Sequence, residues 1–249
     1  QLVKKFLEQP SFELQHVYRA LGVIAQENDL IQSELYKNSL LVAQRNTHIL
    51  YYDCTNFFFE IEQEEGLRQY GISKEHRPNP IVQMGLFMDG DGIPLAFNIS
   101  PGNTNEQVTL TPLEEKLLQD FELSKLVVCT DAGLASTANR KFNDKKDRAF
   151  ITTQSIKKLK KPLQEWALDK TGWRIPGKDG LFDISKIDTD EAVAEAYKST
   201  TFYKERWIKE NGFEQRLVVT FSLKYRNYQR SVRQSQIERA MKAIEKNPQ

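Results

Sequence analysis

Two short apolar runs each end in an aspartate, and this repetition constrains the chain more than any other feature. Ile49-Leu50-Tyr51-Tyr52 leads into Asp53, and Leu126-Val127-Val128-Cys129-Thr130 leads into Asp131. Both runs are too short for helices and rich in aromatic and β-branched residues, so each reads as a buried strand. An ionised carboxylate in an apolar setting is costly unless hydrogen bonds or a cation offset it. The pair therefore implies either two strand-end caps or a metal site, and the pattern alone leaves both open.

The intervening chain decides how the two strands meet. Ile49 to Asp53 and Phe57 to Ile61 read as two strands around a turn at Thr55-Asn56. Glu62, Glu64 and Glu65 start an acidic exposed segment, and the prolines between Glu75 and Pro80 mark a loop. Ile81 to Met88 and Ile93 to Ile99 are strands joined by Asp89-Gly90-Asp91-Gly92. Asp-Gly supplies the positive φ of a tight hairpin, and the later ligands of a calcium loop are missing. After a turn at Pro101-Gly102-Asn103, a helix is expected with Thr111 as N-cap, Pro112 at its first position and Glu114 closing a capping box. Its apolar stripe is Leu113, Leu117, Leu118 and Phe121. A crossover of this kind makes the Leu126 strand parallel to its neighbour, which puts Asp53 and Asp131 at one sheet edge.

The flanking segments carry weaker signals. Residues 11 to 45 read as helices that pack on the core, with Leu14, Val17, Tyr18 and Leu21, then Leu30, Ile31 and Leu35, at helical spacing. Beyond Asp131 a helix is expected over Ser136 to Asn143 and a strand over Ala149 to Thr153. Ser155 to Leu168 is basic and amphipathic, divided by Pro162, and residues 170 to 200 look irregular. Thr201 to Ile208 and Phe213 to Ser222 form a hairpin around Asn211-Gly212, and Tyr225 to Glu245 is a basic helix.

Composition narrows the function. No apolar stretch is long enough to span a bilayer, so a cytoplasmic protein without a membrane partner is expected. Two cysteines, Cys54 and Cys129, and three histidines are too few for a disulfide scaffold or a zinc centre. Residues 1–134 hold 10 Lys/Arg against 19 Asp/Glu, and residues 135–249 hold 25 against 15. An acidic part suited to cations and a basic part suited to a polyanion fit nucleic-acid chemistry, although such parts can equally attract each other.

Three stretches taken together resemble the DDE transposases of bacterial insertion sequences. They are Tyr51 to Glu60, Gly92-Ile93-Pro94-Leu95 through Pro101-Gly102-Asn103 with Glu106, and Thr130-Asp131-Ala132-Gly133-Leu134-Ala135-Ser136. The resemblance runs from about residue 47 to the end. It implies an α/β fold, a ribonuclease-H-like mixed sheet with flanking helices, interrupted by a β-containing insertion. The implied organisation is a helical lead-in at 1–46, a catalytic core at 47–153, an insertion at 154–225 and a basic helix at 226–249. Asp53 and Asp131 are then the first two acids, holding Mg²⁺ (or Mn²⁺ in its place) for cleavage and strand transfer of DNA at element ends. DNA is the implied partner, with a homo-oligomer assembled on it in a bacterial, nucleoid-associated setting. Lys157, Lys158, Lys160, Lys161, Arg226, Arg230 and Arg233 are the candidate phosphate contacts.

The family's third acid, a Glu on a helix after the insertion, is where the chain departs from the pattern. Tyr203, Arg206 and Glu210 match the first spacings, but Leu217 stands at the Lys position and all fall on the expected hairpin, where helical spacing has no meaning. Glu238 lacks the preceding Tyr and Arg, since Ser231 and Gln234 stand there. The expectation is a third acid beyond Gln249 and a fragment inactive by itself. The alternatives are a two-metal nuclease of the same fold and a truncated, non-catalytic DNA-binding or assembly remnant.

Overall fold

Along Ile49–Phe58 buried and exposed side chains alternate, which makes this stretch one continuous strand, β1, in the computed structural model. The turn expected at Thr55-Asn56 does not form. Asn56 is buried, and its amide is satisfied by a distant segment: Nδ2 donates to the Ile72 carbonyl at 3.1 Å, and Oδ1 accepts from the Lys74 N–H at 3.1 Å. A polar residue that looks like punctuation is held inside the strand by tertiary partners. The strand also ends at Phe58, short of the expected Ile61.

The structure describes residues 12–246, and the part of the helical lead-in before Phe12 lies outside them. The chain divides into two units, 1–154 and 155–249. In the first, β2 (Ile81–Met88) pairs antiparallel with β1, and β3 (Pro94–Pro101) pairs antiparallel with β2. The hairpin between β2 and β3 is closed by Asp89, whose Oδ1 accepts from the N–H groups of Asp91 and Ile93 at 3.1 and 2.9 Å. Helix α3 (Leu110–Asp120; α1 and α2 are described below) then leads to β4 (Leu126–Thr130), parallel to β1 as expected. After helix α4 (Thr137–Asn143) comes β5 (Arg148–Thr152), parallel to β4. The strand order β3-β2-β1-β4-β5, antiparallel on one side of β1 and parallel on the other, is the ribonuclease-H-like mixed sheet.

One face of the sheet carries the core. Leu50, Tyr52 and Cys54 of β1 meet Phe87, Leu95 and Ala96, and α3 adds Leu110, Leu113 and Leu117, with Phe121 just past its end. Each Leu and Phe among them contributes about 1.5–3 kcal/mol by leaving water. The start of α3 differs from the expected capping box. The helix begins at Leu110, and Glu114 turns inward, fully buried, to accept from Asn143 Nδ2 at 2.8 Å and Arg148 at 3.4 Å. A carboxylate with a buried cation in reach serves the core before it serves the helix end.

The two N-terminal helices behave differently from each other. Helix α2 (Asn28–Ser39) packs through Gln32, Ser33 and Tyr36, and the Gln32 amide pairs with the Phe97 backbone of β3, accepting at 2.6 Å and donating at 3.3 Å. Helix α1 (Leu14–Gln26) buries no residue, and Leu14, Tyr18 and Leu21 are exposed. Its apolar stripe, read from sequence as a packing face, contributes nothing to the core.

The second unit has its own core of Trp173, Ile184, Ile187, Phe202 and Leu223. Pro162 sits in the first turn of α5 (Lys161–Leu168), where its missing N–H costs nothing, so it starts this helix. The segment expected to be irregular contains two short helices, α6 (Lys186–Thr189) and α7 (Glu191–Ala196). Strands β6 (Thr201–Glu210) and β7 (Phe213–Ser222) form the expected hairpin, with Asn211 and Gly212 at φ 52° and 84°. Helix α8 (Leu223–Lys246) closes the described chain. Among the described residues no helix is long and apolar enough to cross a membrane.

Candidate metal centre

The parallel register of β1 and β4 brings the two aspartates together. Ile49 pairs with Val127, and the match runs through Tyr52 and Thr130. Asp53 is the next residue on β1 and Asp131 the first residue past the end of β4, so the register brings both aspartates to one edge of two neighbouring strands. Both are exposed. The buried residues flanking Asp53, Tyr52 and Cys54, anchor its strand from below: the Tyr52 hydroxyl and Thr109 Oγ1 are 2.7 Å apart, and the Cys54 thiol lies 3.5 Å from both. Burial pushes the ionisation of the Tyr52 hydroxyl and the Cys54 thiol upward, so both stay neutral as hydrogen-bonding groups.

Each carboxylate is tethered through one oxygen. Asp53 Oδ1 accepts from the Cys54 N–H at 2.8 Å, and Asp131 Oδ1 accepts from the N–H groups of Gly133 and Leu134 at 3.0 and 3.1 Å. Asp131 thus does cap a turn, one of the two roles that its sequence position allows. The Asp131 carbonyl is itself fixed by Thr152 Oγ1 at 3.1 Å. The two Oδ2 atoms have no hydrogen-bonding protein partner among the described residues, which leaves one oxygen of each free for a ligand. A β-carbon at position 133 would lie 3.3 Å from Asp131 Oδ1, so glycine keeps the turn open.

This donor set fits Mg²⁺ or Mn²⁺. Two carboxylate oxygens suit a hard cation that retains several waters, and neither a thiol nor an imidazole intrudes. Among the described residues no cluster of three His, Cys, Asp or Glu side chains forms, so a third acid is not brought to the pair. Tyr203, Arg206 and Glu210 lie on β6, where the transposase-like spacing cannot align them on a helix face.

The basic candidates are arranged in the second unit. Lys157 and Lys158 lie in a 3-10 turn at Ile156–Lys158, and together with Lys160, Lys161, Arg230 and Arg233 they are exposed. Arg226 is instead committed to an ion pair with Asp188 at 2.6 Å. A further basic group was not singled out from sequence. Lys204 is buried with its ammonium over the rings of Trp166 and Trp173, at 5.2 and 4.6 Å, and Arg206 lies over Trp166 at 5.4 Å. Trp166, Lys204 and Arg206 line one groove together with Arg174, Trp207 and Arg216. Only the spacing of Lys204 and Arg206, two residues apart on one strand, hinted at it.

Comparison with known proteins adds family and fold. The family described as "Transposase DDE domain" matches residues 57–241, a span that contains Asp131 and begins four residues after Asp53. Among solved structures, the chain is similar to "Mos1 transposase paired-end complex with left transposon end", at 15% identity over 60% of this chain and 47% of that one, TM-score 0.30. It is also similar to "Cryo-EM structure of piggyBac transposase synaptic complex with hairpin DNA (SNHP)", at 11% identity over 69% of this chain and 32% of that one, TM-score 0.33. The chain therefore spans about half or less of the solved proteins that it matches. No significant match is found among curated proteins.

Proposed function

Because the chain belongs to the transposase DDE domain family, we propose that it forms part of an enzyme that cleaves DNA at the ends of a mobile element and joins the freed 3′ hydroxyl to target DNA. The observation that supports this reading is the parallel register of β1 and β4, which brings Asp53 and Asp131 to one sheet edge, each with Oδ2 free of protein partners among the described residues. Asp53 and Asp131 would hold Mg²⁺, or Mn²⁺ in its place. When bound, such ions stabilise charge and activate an oxygen for in-line displacement at phosphorus.

The chain's own residues prepare that site. Tethering of each Oδ1 to backbone N–H groups fixes both carboxylate planes, so little reorganisation is needed when a ligand reaches Oδ2. The Lys74 ammonium donates to the carbonyl of Cys54, which places a cation one residue from Asp53 and within reach of an approaching phosphate. The exposed lysines from Lys157 to Lys161, with Arg230 and Arg233, would neutralise DNA phosphates along the second unit. DNA ends and target DNA are the partners in this reading, and copies of the protein assemble on them.

Titration of the chain with Mn²⁺, followed by the loss of the free-ion electron paramagnetic resonance signal, tests the site. Binding should weaken in Asp53→Ala and in Asp131→Ala. Unchanged binding in both variants overturns the assignment.

A further inference from the structure

The short segment before α3 touches both aspartate-bearing elements. It contains a 3-10 turn at Glu106–Val108, entered through Asn105, whose side chain accepts from the Gln107 N–H. On one side Thr109 Oγ1 joins the Tyr52 hydroxyl and the Cys54 thiol, the residues before and after Asp53. Lys74 reinforces this side, donating to the Cys54 carbonyl and lying 3.8 Å from Glu106. On the other side Gln107 Nε2 donates to the Gly133 carbonyl at 2.9 Å.

That last bond bears on Asp131. The N–H groups of Gly133 and Leu134 hold Asp131 Oδ1, so the direction of its free oxygen depends on how these two peptide units are oriented. Gln107 grips the Gly133 carbonyl, which lies in the same peptide unit as the Leu134 N–H, and Asn139 Nδ2 grips the Leu134 carbonyl, one peptide unit further on, at 2.9 Å. The same Nδ2 donates to the Gln107 carbonyl at 2.9 Å, which ties the two grips together. Asn139 is buried and Leu134 is 1% exposed, so this end of the turn is anchored in the core. The Gly133 end is exposed, and Gln107 is the side chain that restrains its carbonyl.

Building on the assignment of Asp131 as a cation ligand, we propose that Gln107 is a positioning residue for the metal centre: its amide sets the Gly133–Leu134 peptide unit, whose N–H holds Asp131 Oδ1, and thereby aims the carboxylate of Asp131. The chemistry is that of an outer hydrogen bond that orients a metal-ligating group without touching the ion. Because the same segment packs on Tyr52 and Cys54, it also fixes the separation of the two carboxylates.

The test measures Mn²⁺ affinity by electron paramagnetic resonance in the full chain, beside thermal unfolding and hydrogen exchange of the 131–136 segment. Gln107→Glu keeps the shape of the side chain but removes the donor, and Gln107→Ala removes both. Each should weaken Mn²⁺ binding about tenfold and speed exchange at Gly133 and Leu134, with the unfolding midpoint nearly unchanged. Val108→Ala, at an exposed position of the same turn, should leave all three readouts as they are. If Asp131→Ala weakens binding while both Gln107 variants bind as the parent does, the positioning role is overturned and the metal site stands. If Asp131→Ala itself has no effect, the metal site falls and the positioning role falls with it. A loss of affinity in Gln107→Glu matched by an equal loss in Val108→Ala also overturns it, because the effect would then belong to the turn as a whole.

Discussion

Arg45 and Asp89 form a buried ion pair, with Nε 2.6 Å from Oδ2 and side chains 3% and 0% exposed. The same guanidinium donates to Ser39 Oγ at 2.8 Å and to the carbonyls of Ile93 and Pro94 at 3.2 and 3.0 Å. It thus ties the end of α2 to the β2-β3 hairpin. Removing either partner leaves a desolvated charge behind, which costs about 3–5 kcal/mol. Arg45→Ala should therefore lower stability in urea denaturation by about that amount, and Arg45→Met should do nearly as much harm because Asp89 stays unpaired.

The pair also has a pH signature. Burial raises the ionisation of Asp89, but the Arg45 hydrogen bond and the N–H groups of Ile93 and Asp91 together outweigh it and hold the carboxyl below its usual range. A depressed folded-state value contributes stability that is present above the unfolded value, about 3.9, and is lost as the pH falls through the folded one. Wild type should therefore lose more stability than Asp89→Asn between pH 4 and pH 2, a comparison that urea titrations at each pH can make.

Glu114 should respond in the opposite direction. Burial lifts its ionisation above the usual carboxylate range, although Asn143 and Arg148 oppose the shift. A raised folded value in an acid means that the folded state binds the proton more tightly. Stability then grows as the pH falls from neutrality toward the unfolded value of about 4.3. Relative to the uncharged isostere Glu114→Gln, the parent protein should gain stability over that window; a flat difference between the two would contradict it.

Gly102 lies where no β-carbon fits. An added carbon would come within 2.3 Å of the carbonyl oxygens of both Gln69 and Ile81, which are backbone atoms and cannot swing aside. Gly102→Ala should therefore cost about 3 kcal/mol of stability through forced backbone movement. The equivalent change at Gly22, which has nothing within 4 Å, should be neutral or slightly stabilising as a helix substitution.

For DNA, the exposed lysines give a measurable quantity. Replacing Lys157, Lys158, Lys160 and Lys161 together with Gln should reduce the slope of log affinity for duplex DNA against log salt by about 3.6 if each meets a phosphate. An unchanged slope in fluorescence anisotropy would place the phosphate contacts elsewhere on the chain.

Much of the sheet was legible because its determinants are local. The apolar runs at Ile49 and Leu126 and the Asp-Gly and Asn-Gly turns act through residues adjacent in sequence, and they give the strands and the hairpins on which the parallel register of β1 and β4 rests. What could not be read depends on partners far along the chain. Asn56 looked like a turn residue because its partners, Ile72 and Lys74, lie 16 and 18 positions away. Glu114 looked like a cap because Arg148 is 34 positions distant. Gln107 carried no signal, since a single amide gains a role only when the turn after Asp131 folds next to it.

The pairing of Gln32 with Phe97 has a bearing on how the protein behaves in a crowded solution. The amide side chain offers one donor and one acceptor to the backbone of β3, the same pair of groups that a neighbouring strand would offer. A foreign extended segment that approached this border of the sheet would find those positions already satisfied, and it would have to displace α2 to continue the ladder. Helix α2 thus guards an exposed sheet edge against self-templated aggregation, using one glutamine as a stand-in for a strand.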